Sequence, residues 1–119
     1  MDKPRILFIC ARNQWRSPTA ETTYRDDPRL DVRSAGLSSK SPHRLSSRDL
    51  DWADLVLVME TEHKRRIARE FRDHPELPPI ESLEIPDEYR KMDPELVALI
   101  RGGTEGFLRS EFGIAPDAG

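Results

Sequence analysis

At 119 residues the chain has the length of one domain, with the tail from about Ala115 expected to fray. Apolar residues make up 36% and charged residues 34%, with a mean hydropathy of -0.69, and the apolar ones gather in short runs, which excludes a disordered chain. No run approaches the roughly 18 apolar residues of a membrane span, the N-terminus lacks an apolar signal core, and a net charge of -3 gives no footprint for nucleic acid. A cytoplasmic protein without membrane or nucleic-acid partners is expected, with a monomer the favoured state.

Arg5 to Cys10 is a continuous apolar run after Pro4, the pattern of a strand buried on both faces of a parallel sheet. A polar stretch over 11–16 follows. Ser17-Pro18 then predicts a helix start, with serine at the N-cap, proline at the first helical position and Glu21 in the first turns, and that helix stops by Pro28. Leu30 to Ser34 alternates as a second strand closed by Gly36, and 37–51 is read as a loop with one helical turn at most. Asp54 to Met59 is the clearest buried strand. A helix from Thr61 carries Ile67, Ala68 and Phe71 on one face and ends before Pro75, and 79–83 forms a weaker fourth strand. Asp93-Pro94-Glu95 is an N-cap signal for a last helix with Leu96, Val97, Ile100, Phe107, Leu108 and Phe112, in which Gly102-Gly103 marks a possible break. The order implies an α/β fold: a four-stranded parallel sheet flanked by helices.

Ligands of such sheets bind where strands end and helices begin. Cys10 ends the first strand and the next helix opens near Ser17, so the segment from Ala11 to Arg16 wraps the mouth of any site there. A loop entering a helix offers free backbone N–H groups and the positive end of the helix dipole, which suits a tetrahedral dianion. Arg16 adds a planar guanidinium able to grip two oxygens at once. A thiolate at Cys10 is stabilised by those same charges, and Ser17 can donate a hydrogen bond to it. The ordinary alternative is that Cys10 is a small buried hydrophobe at a strand end. Fifteen of the 19 basic residues are arginines, so an arginine six positions after the cysteine also arises by chance; the serine after it and the strand-to-helix setting make chance a poor account.

The stretch Ile6 to Glu21, with Cys10, five residues, then Arg16-Ser17-Pro18, resembles the N-terminal signature of the low-molecular-weight protein tyrosine phosphatases. Ser34-Ala35-Gly36, the strand ending at Met59-Glu60, and Ile85-Pro86-Asp87-Glu88-Tyr89 resemble later family segments in the family's order. The resemblance implies hydrolysis of phosphomonoesters in two steps, with no cofactor and no metal. Cys10 would form a phosphocysteine, and Arg16 with the loop of Ala11, Arg12, Asn13, Gln14, Trp15 and Ser17 would hold the phosphoryl oxygens. Asn13 and Ser34 would brace the loop, and Asp87 would protonate the leaving oxygen. Substrates would be phosphotyrosine proteins or small aryl phosphates, with Tyr89 and Trp15 candidates for the pocket wall.

Arg12 stands where the family has glycine, Trp15 replaces a second loop cysteine, Glu88 replaces a proline after Asp87, and the stretch from Gly36 to Asp54 is shorter than in typical members. Asp93, which keeps a literal Asp-Pro pair, competes with Asp87 as general acid but reads better as a helix cap. The alternatives of another class are a non-hydrolytic phosphate-binding module and a sugar-transport phosphocarrier. Thioredoxin-linked arsenate reductases need further cysteines, and Gln14 is not what the pocket of a phosphoarginine phosphatase is expected to carry. His43, His63 and His74 have no metal-ligand spacing and are expected at the surface, and the cluster His63 to Arg66 on a solvated helix face.

Overall fold

A computed structural model describes residues 3–116. The elements run β1 (Arg5–Cys10), α1 (Arg16–Tyr24), β2 (Asp31–Gly36), α2 (Ser47–Trp52), β3 (Leu55–Val58), α3 (Thr61–Glu70), β4 (Ile80–Ser82) and α4 (Pro94–Phe112). The four strands form one parallel sheet in the order β2-β1-β3-β4.

The two-residue period of the strands sorts the apolar runs into two cores. Ile6, Phe8 and Cys10 of β1 join Leu55 and Leu57 of β3 under α1 and α4, where Ala20, Tyr24, Leu96, Ile100 and Leu108 are buried. Leu7, Ile9, Val56 and Val58 face the other way, onto Leu50 of α2 and Ile67 of α3. Both faces of β1 and β3 are covered, which is why those runs are continuously apolar rather than alternating. At the carboxyl edge Cys10 lies opposite Gly36 and Ile9 opposite Val58. Strand order reverses direction between β1 and β3, so the loop after Cys10 opens into the crevice at that switch point.

Several local expectations are corrected. Helix α1 starts at Arg16 with Trp15 as its N-cap, and no side chain caps it. Ser17 is inside the helix because its hydroxyl is taken by Cys10 and Asn13. The stretch 37–51 contains the start of a true helix: Ser46 and Asp49 form a reciprocal capping box that opens α2. On α3 the buried residues are His63 and Ile67, while Ala68 is exposed. Helix α4 runs unbroken through Gly102-Gly103, and a side chain at Gly103 would meet Leu83 at 2.7 Å. Of the tail expected to fray, residues 117–119 lie outside the described residues, while the Ala115 carbonyl accepts a hydrogen bond from Arg29 at 2.9 Å. Among the described residues no helix is long and apolar enough to cross a membrane.

Candidate active site

Cys10, at the end of β1, is 3% exposed and its sulfur is met by two polar groups, one from the loop that follows and one from the first turn of α1. The Asn13 backbone N–H points at Sγ from 3.2 Å, and the Ser17 hydroxyl lies 3.0 Å away. This curl of the chain requires Asn13 to adopt a left-handed backbone, φ 53°, which asparagine tolerates better than most residues. Arg12 is not among the positive-φ residues, so its exposed side chain is carried by the loop without a left-handed backbone.

A polar chain holds the loop against the sheet. The Asn13 side-chain amide donates to Ser17 Oγ at 2.9 Å and to Ser34 Oγ at 3.1 Å, and Ser34 in turn donates to Glu21 at 2.6 Å. Asn13, Ser17 and Ser34 are all buried, so these bonds also satisfy groups that would otherwise be costly to enclose. The glycine of Ser34-Ala35-Gly36 has a steric role: a Cβ there would stand 2.8 Å from the Asn13 nitrogen and 2.1 Å from Ser41 Oγ.

Arg16 opens α1 and its side chain is only 3% exposed. Its NH1 donates to Glu60 Oε2 at 2.6 Å and to the Ile85 carbonyl at 2.8 Å. Nε lies 3.8 Å from Asp87 Oδ1, an ion-pair distance rather than a hydrogen bond, and NH2 has no hydrogen-bond partner among the described residues. The guanidinium is therefore held at one corner while its other donors remain for a ligand. Cys10, Ala11, Arg12, Gln14, Trp15, Arg16 and Asp87 line one cavity of about 380 Å³. Trp15 is 46% exposed on its rim, outside rather than beneath the loop. Because the N-cap Trp15 makes no side-chain cap hydrogen bond, the first-turn amides of Arg16 and Ser17 are also left to bind an anion.

The structure thus gathers Cys10, the 11–17 loop, Ser34, Arg16 and Asp87 at one edge of the sheet. Tyr89 is not among the cavity residues: it packs against the α1–α4 core and its hydroxyl donates to Glu95 at 3.4 Å. Asp93 caps α4, accepting from the Glu95 N–H at 2.9 Å. Glu60, Glu21 and the Ile85 carbonyl were missed by sequence reasoning. Glu60 had a usable signal, since a carboxylate directly after an apolar strand must emerge at the same edge as Cys10; a backbone carbonyl has none. His63, expected at the surface, is buried with Nε2 3.6 Å from Glu60. Burial holds its imidazole below the ordinary value, against the opposing pull of Glu60, so at neutral pH it does not compete with Arg16 as a cation. Arg66, from the same cluster, reaches the Leu37 carbonyl at 3.2 Å instead of standing free.

Fold and site together define a four-stranded parallel α/β protein with a strand–loop–helix pocket around a cysteine and an arginine, and its fold is that of the low-molecular-weight protein tyrosine phosphatases. In fold the chain is similar to a low-molecular-weight protein tyrosine phosphatase from Streptococcus pyogenes (TM-score 0.72, 18% identity, 92% of this chain and 93% of that one). It is similar also to the YwlE arginine phosphatase from Geobacillus stearothermophilus (TM-score 0.66, 23% identity, 96% and 99%) and to the tyrosine phosphatase Wzb from Escherichia coli (TM-score 0.67, 24% identity, 92% and 99%). In sequence it is 31% identical over 93 residues to a protein-arginine-phosphatase of Bacillus subtilis, a match covering 56% of this chain and 62% of that relative's length. No family model matches the chain. The resemblance to the low-molecular-weight phosphatases and the four-stranded parallel fold are thereby shown.

Proposed function

We propose that this protein hydrolyses phosphomonoesters through a phosphocysteine intermediate, with phosphotyrosine or a similar aryl phosphate as substrate. The observation that carries the reading is Arg16: a buried guanidinium, fixed by Glu60 and Ile85, with donors left over in the cavity that Cys10 also lines. A phosphoryl group seated there has its oxygens on the Arg16 fork and the loop amides, which stabilise the charge spread over them as the bond to the leaving group breaks. Cys10 attacks phosphorus and the ester oxygen departs, taking a proton from Asp87 on the open side of the cavity. Ser17 donates to the sulfur when it is expelled again by water, which Asp87 then deprotonates. Trp15 offers the substrate ring an aromatic face at the rim.

The named activity of the Bacillus subtilis relative supports a second reading, in which the leaving group is the guanidinium nitrogen of phosphoarginine. Cys10, Arg16 and Asp87 would serve both reactions, so the choice lies with the rim. Purified protein assayed side by side on phosphotyrosine and phosphoarginine peptides, with Cys10→Ser as control, tests both. Higher kcat/KM on phosphotyrosine is expected. Preference for phosphoarginine replaces the first reading with the second, and stable phosphocysteine without phosphate release replaces both with a phosphocarrier.

A further inference from the structure

Asp87 sits on the connection between β4 and α4, mostly exposed, at an ion-pair distance of 3.8 Å from Arg16 and with no side-chain hydrogen bond among the described residues. Something other than its own packing must set its reach. One end of its segment is fastened where Ile85 donates to the Met59 carbonyl at 2.7 Å and accepts from Arg16. The other end is fastened at Thr19. This residue of α1 is wholly buried; its hydroxyl accepts from the Met92 backbone N–H at 2.9 Å and donates to the Trp15 carbonyl at 2.6 Å. A single hydroxyl therefore joins the segment carrying Asp87 to the residue directly before Arg16. Each bond in such a donor–acceptor chain strengthens the other. Met92 is held there with φ 64°, a left-handed backbone that an unanchored methionine would leave.

We propose that Thr19 is a positioning residue for the general acid, setting where Asp87 stands relative to the phosphoryl group through the bridge from Met92 to Trp15. The proposal rests on the hydrolysis reading and adds to it a residue outside the cavity that touches no substrate. Nothing in the strand-to-helix signature requires a hydroxyl at this position. An alanine or valine would continue α1 equally well, but neither could accept from one side while donating to the other.

The experiment compares the wild type with Thr19→Val, which keeps the shape of the side chain, and Thr19→Ser, which keeps the hydroxyl. Two esters are used, phosphotyrosine and a dinitrophenyl phosphate, whose phenolate leaves without a proton. Displacing an acid lowers kcat/KM only where its proton is needed, so Thr19→Val is expected to lose about tenfold on phosphotyrosine and less than about threefold on the dinitrophenyl ester. Thr19→Ser should recover most of the loss. Amide hydrogen exchange of segment 86–92 should quicken in Thr19→Val and stay near wild type in Thr19→Ser. Equal losses on both esters, or unchanged exchange in that segment, overturn the proposal, since a damaged fold lowers both rates alike. If the wild type hydrolyses neither ester the hydrolysis reading fails, and the exchange result alone decides whether Thr19 fastens the segment.

Discussion

Arg16 and Arg29 each lie between two carboxylates, and they use their donors in opposite ways. Arg29 donates to Asp27 from Nε and NH2, to Glu105 from NH1 and NH2, and to the Ala115 carbonyl from NH1, at distances from 2.8 to 3.3 Å. Tyr24 closes that cluster with a 2.7 Å bond to Glu105. The result ties α1 and the turn after it to α4 and holds both carboxyls below their ordinary values, chiefly through the bonds from Arg29. Arg16 is more deeply buried, yet only NH1 is spent on hydrogen bonds within the described chain. Desolvating a guanidinium without satisfying it is costly, which folding tolerates where a ligand completes the set. The contrast teaches that one side chain type serves two ends: saturated, it is a clamp; left open at a cavity, it is a receptor.

The largest effect that tests this contrast is at the cavity. Arg16→Lys keeps the charge but loses the planar fork, and kcat/KM on an aryl phosphate should fall by about a thousandfold. Inorganic phosphate should raise the melting temperature of the wild type and leave that of Arg16→Lys unmoved. If phosphate stabilises both proteins equally, Arg16 is not the receptor described.

A smaller effect separates the two aspartates near α4. The tyrosine of phosphotyrosine leaves as a phenol with a pKa of about 10 and needs a proton donor. Asp87→Asn should therefore lower kcat/KM on phosphotyrosine by about a hundredfold while sparing an activated dinitrophenyl ester. Asp93→Ala should cost about 1 kcal/mol of stability through the lost cap and leave the ratio between the two esters unchanged. The reverse pattern would exchange the roles of cap and acid.

The smallest effect is at the clamp and is read as stability rather than rate. Arg29→Met should lower unfolding free energy by about 1–3 kcal/mol and leave the kcat/KM of the folded protein near wild type. The carboxyls of Asp27 and Glu105 are depressed in the folded state, so the unfolded chain binds more protons as pH falls past their ordinary values of 3.8 and 4.5. Wild-type stability is present above those values and drains away as pH drops through the lower folded ones. The decline should be shallower in Arg29→Met, measured by urea unfolding across that range. A parallel decline in both proteins would mean that Arg29 does not hold these carboxyls down.

The alternation of apolar runs with helical signals, the strand ending at Cys10 and the spacing to Arg16 were all legible along the chain, because each depends on neighbours within a few residues. So was Asp93 as a cap, which needs only the amide two positions on. The N-cap assigned to Ser17 failed for the opposite reason: two groups brought in by the folded loop outcompete the local amide for its hydroxyl. What distinguishes Arg16 from fourteen other arginines is likewise not local. Glu60 and Ile85 stand 44 and 69 positions away and meet it only once β3 has paired with β1 and the chain has returned beyond β4. Sequence by itself determined the elements, their order and the type of loop; tertiary structure decided which donors are spent and which remain, because that balance is set by partners distant in the chain.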